Sequence, residues 1–131
     1  MYKCSDGSLI QKKTIDFRIK RTKEEYSSLV ADRLHVNPNN IVCERCNLNN
    51  RIATRVSRSH IISVDYCQKT GRSELAYDIM NLEHLCMNDH RDIENYSNEI
   101  RELWYHFRKD KIMNENEMPN FNEFLKTIEN A

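Results

Sequence analysis

The residues able to do chemistry fall in an ordered series along the middle of the chain. They are Cys43-x-x-Cys46, then Ser59-His60-Ile61-Ile62, then Asn81-Leu82-Glu83-His84-Leu85-Cys86-Met87-Asn88-Asp89-His90. A Cys-x-x-Cys pair either cycles electrons or grips a metal. Redox use expects the pair to open a helix after a buried strand. Here a polar turn surrounds it, followed by Asn47, Asn49 and Asn50, and this context reads as a metal knuckle. Cys86 lies forty residues further on, while Cys4 and Cys67 are isolated. An odd number of cysteines and no secretory signal argue against a disulfide framework. An imidazole titrates near neutral pH and either takes a proton from water or holds a cation, so His60 and His90 are the other candidates.

Elements must position these groups. Residues 14–20 alternate polar and apolar, which predicts a strand with Ile15, Phe17 and Ile19 on one side. Thr22 with Glu25 forms a capping box ahead of Tyr26, Leu29, Val30 and Leu34, with Pro38 beyond, which predicts a helix at about 23–36. Residues 52–64 are rich in Ile, Val, Thr and Ser and read as a strand. Residues 65–74, with Gly71, read as a loop, and 75–82 as the returning partner strand. From Asp89 to about residue 110, Ile93, Tyr96, Ile100, Leu103, Trp104 and Phe107 share one helical face. Asn120 with Glu123 caps a last short helix that presents Phe121, Phe124, Leu125 and Ile128. The order strand, loop, strand, helix therefore places a His, an Asn and a His at its junctions.

The chain has 131 residues, 39% hydrophobic and 31% charged, which suits one domain with a modest core. No apolar run reaches the length of roughly 18 residues that a bilayer demands, so a cytoplasmic protein with no membrane partner is expected. Two glycines, Gly7 and Gly71, exclude Gly-rich phosphate loops and nucleophile elbows. The net charge is zero but uneven: residues 43–72 carry six Lys/Arg against two acids, and residues 73–131 six against thirteen. A basic surface beside an acidic segment is compatible with a polyanion, and equally with segments that neutralise one another.

The series Cys-x-x-Cys, His-Ile, Asn-Leu, Leu-Cys and His resembles the His-Asn-His (HNH) endonucleases of the ββα-metal kind, in their zinc-knuckle form. The steps from Asn81 to Cys86 and from Asn81 to His90 both fit that pattern, and the resemblance covers residues 43–95. It implies an α+β fold in a single domain, 1–131. A ββα-metal (His-Me finger) core with zinc knuckle would span about 43–95. An N-terminal strand and helix element (8–36) and a C-terminal helical segment (96–131) would flank it. The implied activity is metal-dependent hydrolysis of phosphodiester bonds in nucleic acid, DNA ahead of RNA, with one structural zinc and one catalytic Mg²⁺ or other divalent cation. The alternative is a catalytically disabled module of the same fold that binds nucleic acid or a partner protein, with the N-terminal segment as a docking element.

In the implied roles His60 is the general base, Asn81 orients it, and His90 holds the catalytic cation. Two positions depart from the family. Ser59 stands where an Asp or His usually supplies a second metal ligand, and a neutral hydroxyl is a poor substitute. Asp89 stands in place of the fourth zinc cysteine. A carboxylate can ligate zinc, so Cys43, Cys46, Cys86 and Asp89 could close the site, with Cys67 or His84 as alternative fourth ligands. Glu94, one helical turn after His90, is either the missing catalytic-metal ligand or a solvated residue. Arg51, Arg55 and Arg58 along the first strand, with Lys69 and Arg72 in the hairpin loop, would hold flanking phosphates.

Overall fold

A short antiparallel hairpin, β1 (Tyr2–Lys3) and β2 (Leu9–Ile10), turns through Gly7 at φ 87° and leads into helix α1 (Lys12–Leu34). The computed structural model describes residues 1–35, 37, 42–48 and 55–129. Pro38 and residues 52–54 of the expected strand lie outside the described residues. The strand expected over 14–20 is the start of α1 instead. Ile15, Thr22, Tyr26 and Val30 form its buried stripe, while Phe17 is 61% exposed and does not share their side. No Gly or Pro interrupts residues 12–34, so the 3.6-residue period outcompetes a short alternation that fits both templates. Thr22 is accordingly no cap: its hydroxyl donates to the Arg18 carbonyl within the helix at 2.7 Å. The helix stops at His35, whose left-handed φ of 55° closes the last turn.

After α2 (Glu44–Leu48) come β3 (Val56–His60) and its antiparallel partner β4 (Leu82–Cys86), with His60 opposite Leu82 and Val56 opposite Cys86. The connection between them departs from the expected loop and strand. Ser63 caps α3 (Val64–Lys69) by accepting from the Tyr66 N–H at 3.2 Å. Gly71 then turns the chain at φ 69° into two 3-10 turns, Ser73–Tyr77 and Ile79–Asn81. The partner strand begins only at Leu82. The long helix expected over 89–110 is two: α4 (Met87–Glu94) and α5 (Asn98–Asn114), separated where the Ser97 hydroxyl accepts from the Ile100 N–H at 3.2 Å. The last helix, α6 (Phe121–Glu129), starts where expected, with Asn120 accepting from the Asn122 N–H at 2.9 Å.

Helices and small antiparallel sheets thus make an α+β fold. The β3–β4 hairpin is its middle layer. Cross-strand partners share a face, so Arg58, His60, Leu82 and His84 point to one side and Ser57, Ser59, Glu83 and Leu85 to the other. Leu82 packs with Tyr26 and Val30 of α1. Leu85 packs with Ile93, Trp104, Phe121 and Phe124 of α4, α5 and α6 in the larger core cluster. One helix therefore covers the first face, and three cover the second.

Candidate functional site

Cys43 and Cys46 bracket the start of α2, Cys86 ends β4, and Asp89 sits in the first turn of α4. All four side chains are buried, and their ligand atoms lie within 4.8 Å of one another. The Asp89 Oδ2 stands 3.2 Å from Cys43 Sγ, 3.4 Å from Cys46 Sγ and 3.3 Å from Cys86 Sγ, and the last two sulfurs are 3.6 Å apart. A tetrahedral zinc with bonds of about 2.3 Å to sulfur and 2.1 Å to oxygen has edges of roughly 3.6–3.8 Å. Those four edges fall at or a few tenths of an ångström inside the tetrahedral values, and the cluster could hold a metal ion. Burial raises the Cys43 and Cys46 thiols above their ordinary range, so a cation entering here displaces their protons.

The other two fourth-ligand candidates lie elsewhere. Cys67 is buried in the main core, with Sγ 3.9 Å from the Ile62 carbonyl. His84 packs edge-on against Tyr26, its Nε2 3.4 Å from Ser27 Oγ. Burial there, reinforced by the Arg58 charge, brings the His84 pKa down to about 4.

Two buried ion pairs that the sequence did not reveal fasten the knuckle. Glu44 accepts from Arg108 at 2.8 Å, and the same guanidinium donates to the Leu82 carbonyl at 2.8 Å and to the Tyr26 hydroxyl. Arg45 forks onto both Glu83 oxygens at 3.3 and 3.4 Å and lies 3.8 Å over the Phe121 ring. Trp104 donates to Glu83 as well, at 3.0 Å. Burial opposes ionisation of Glu83, yet Arg45 and Arg108 hold its pKa below the ordinary value. Charged residues inside a Cys-x-x-Cys spacer look like solvated ones, and nothing local marks their partners 38 and 64 positions away. The knuckle is therefore tied to β4 and α5 independently of any metal.

His60 ends β3 half-buried, its Nε2 2.8 Å from the Ala76 carbonyl. A carbonyl only accepts, so Nε2 carries the proton and Nδ1 keeps its lone pair. Burial lowers the imidazole pKa, and the charges of Lys23 and Arg101 add to the effect. The hydrogen bonds of the Asn81 side chain go to backbone and not to the ring. Its Oδ1 accepts from the Ile62 N–H at 2.8 Å, and its Nδ2 donates to the Ile62 and Leu75 carbonyls at 3.0 and 2.8 Å. It fixes the backbone on which His60 is mounted.

His90 and Glu94 meet on α4, with Nε2 and Oε1 3.3 Å apart. Two ligands about 2.1 Å from one ion, at right angles, lie about 3.0 Å apart, so the pair fits two adjacent positions of a divalent cation. Arg101 of α5 joins the two halves: it donates to the Ile61 carbonyl at 2.6 Å and to the His60 carbonyl at 3.3 Å. Burial lowers the Arg101 pKa while the Glu94 carboxylate acts in the opposite sense, which puts Glu94 within electrostatic reach of that guanidinium. Ser59 is 4% exposed and shares a 3.1 Å contact with the Ser57 hydroxyl.

Compared with known proteins, the chain matches no protein-family model, no curated protein and no solved structure. Of the expected phosphate-binding residues, Arg51 lies outside the described residues. Arg55 is exposed just before β3, and Arg58 donates through Nε to Ser27 Oγ at 2.7 Å. Lys69 and Arg72 are already engaged by acids, Asp65 at 2.9 Å and Glu102 respectively. Among the described residues no helix is long and apolar enough to cross a membrane.

Proposed function

We propose that the chain is a metal-dependent endonuclease built on a ββα-metal core, with zinc held by Cys43, Cys46, Cys86 and Asp89. The observation that carries the reading is the bridge made by Arg101: its guanidinium holds the backbone carbonyls of Ile61 and His60 at the end of β3 and lies within electrostatic reach of Glu94, the partner of His90 on α4. Hydrolysis of a phosphodiester requires a base for the attacking water, charge beside the phosphate and a held backbone. His60 takes the water's proton on Nδ1, and the Ala76 carbonyl steadies the imidazolium through Nε2. His90 and Glu94 would hold a divalent cation such as Mg²⁺, which supplies positive charge at the phosphate oxygen. Asn81 and Arg101 keep the end of β3 in place while the proton moves.

The test is plasmid cleavage with Mg²⁺, Mn²⁺ or Ni²⁺. His60→Ala is expected to abolish cutting with cation affinity nearly intact, whereas His90→Ala lowers both. Equal loss of cation binding in the two variants removes the assigned roles. The buried, neutral Ser59 favours a second reading, a disabled nuclease that binds nucleic acid without cutting it. That reading wins if the wild type cuts with no cation and Ser59→Asp cuts.

A further inference from the structure

The two residues of the β3–β4 connection that were expected to grip phosphates, Lys69 and Arg72, are neutralised by Asp65 and Glu102. Among the described residues, positive charge outside ion pairs gathers on α1. Residues 12–23 of that helix hold Lys12, Lys13, Arg18, Lys20, Arg21 and Lys23 against Asp16 alone. Lys12 pairs with Asp16 and Arg21 with Glu25, but among the described residues Lys13, Lys20 and Lys23 make no ion pair. Lys13, Phe17 and Lys20 stand at i, i+4 and i+7, hence on one face. All three are exposed, Phe17 by 61%. An apolar ring left in water between two cations has no role in the core, whose stripe on α1 faces the other way. Such an arrangement suits a strand of nucleic acid, with ammonium groups on phosphates and a base on the ring.

The row leads to the candidate site. It spans about 10 Å from Lys13 to Lys20, is ended by the exposed Glu24, and turns at Lys23 towards the hairpin. The Lys23 carbonyl accepts from Ser27 Oγ at 3.0 Å, and Ser27 accepts from Arg58 Nε at 2.7 Å. Arg58 and His60 project from the same face of β3, the face that α1 covers. Lys23, Arg58 and His60 are thus consecutive on one side of the molecule. We infer that the exposed row Lys13–Phe17–Lys20 of α1, continued by Lys23, is where a nucleic-acid strand with at least one unstacked base lies on its way to His60. This inference rests on the nuclease reading for its direction, though not for its test.

The experiment measures binding of a fluorescent single-stranded oligonucleotide and of its duplex to the full, zinc-loaded His60→Ala protein, as a function of salt. Three lost phosphate contacts should reduce the slope of log K against log salt by about 2–3. Lys13→Gln/Lys20→Gln/Lys23→Gln is therefore expected to show that smaller slope and roughly tenfold or greater weakening at low salt, with an unchanged melting temperature. Phe17→Ala is expected to weaken the single strand about tenfold and the duplex little, because only an unpaired base can stack. Single-strand affinity that is unchanged in either variant overturns the inference. So does binding of wild type to phosphatidylserine vesicles but not to oligonucleotide. Cleavage is scored separately. Binding lost as described in a protein that never cuts supports the surface and removes the nuclease reading. Cutting by the triple variant at the wild-type KM removes the surface and leaves the nuclease.

Discussion

Asp89 Oδ2 sits within 3.4 Å of three sulfurs, and this single oxygen would set the character of a metal centre built there. Replacing it by sulfur should strengthen zinc binding, and replacing it by a methyl group should weaken it. Asp89→Cys is expected to hold zinc at least as tightly as wild type in chelator competition, and Asp89→Ala at least tenfold less tightly. The cobalt-substituted proteins give an independent readout, because a fourth thiolate adds to the sulfur-to-metal charge-transfer band. Identical cobalt spectra for Asp89→Cys and wild type would exclude Asp89 as a ligand. His60 yields a second residue-level expectation. A base works unprotonated, so kcat/KM should rise with pH through the His60 pKa and then level. Burial lowers that pKa, so the acid limb should be centred below the usual value of about 6.5. A midpoint at or above 6.5 assigns the base elsewhere. The gathering of Asp89 with the three cysteines was legible in the sequence, because ligand types and spacing are local properties. The tautomer of His60 was not, because the Ala76 carbonyl that fixes it belongs to a 3-10 turn whose sequence reads equally as a strand.

At the scale of elements, legibility depended on whether a pattern had competitors. The cap and apolar spacing of α6 have none, and that helix stands where it was expected. Residues 14–20 satisfy a strand and a helix alike, and the outcome is set by packing of Ile15 into the core. The connection from β3 to β4 was misread because its order comes from distant hydrogen bonds, above all those of Asn81. Removing that amide strips the Ile62 N–H of its side-chain acceptor and takes a donor from the Ile62 and Leu75 carbonyls. Asn81→Ala should cost about 2–4 kcal/mol of stability and lower activity less than His60→Ala at a temperature where both are folded. The clamp on α2 predicts a coupling. Arg108 is fully buried, and Arg108→Met strands Glu44 without a counter-charge, for about 3–5 kcal/mol. A zinc ion in the cysteine cluster would hold the same short helix as the clamp, so chelation should lower the Tm of Arg108→Met by a different margin from wild type. Strictly additive losses would show that the two act on separate parts of the fold.

The molecule as a whole is a small hairpin wrapped on both faces, and the wrapping elements come from opposite ends of the chain: α1 from one side, α4 to α6 from the other. This was the least legible level, since no local signal says that Tyr26 and Arg108, 82 positions apart, meet. Their meeting bears on how the protein is made. Tyr26, Glu44 and the Leu82 carbonyl all converge on one guanidinium that leaves the ribosome after every one of them. Until residue 108 emerges, a buried Glu44 carboxylate has hydrogen bonds from Tyr26 and His84 but no counter-charge, which the interior penalises by several kcal/mol. The nascent chain should therefore seat α2, and with it Cys43 and Cys46, stably only once α5 is complete. A ribosome-stalled fragment ending at residue 100 should give up zinc to a weak chelator and be cut by protease within the hairpin, whereas one extended past residue 129 should resist both.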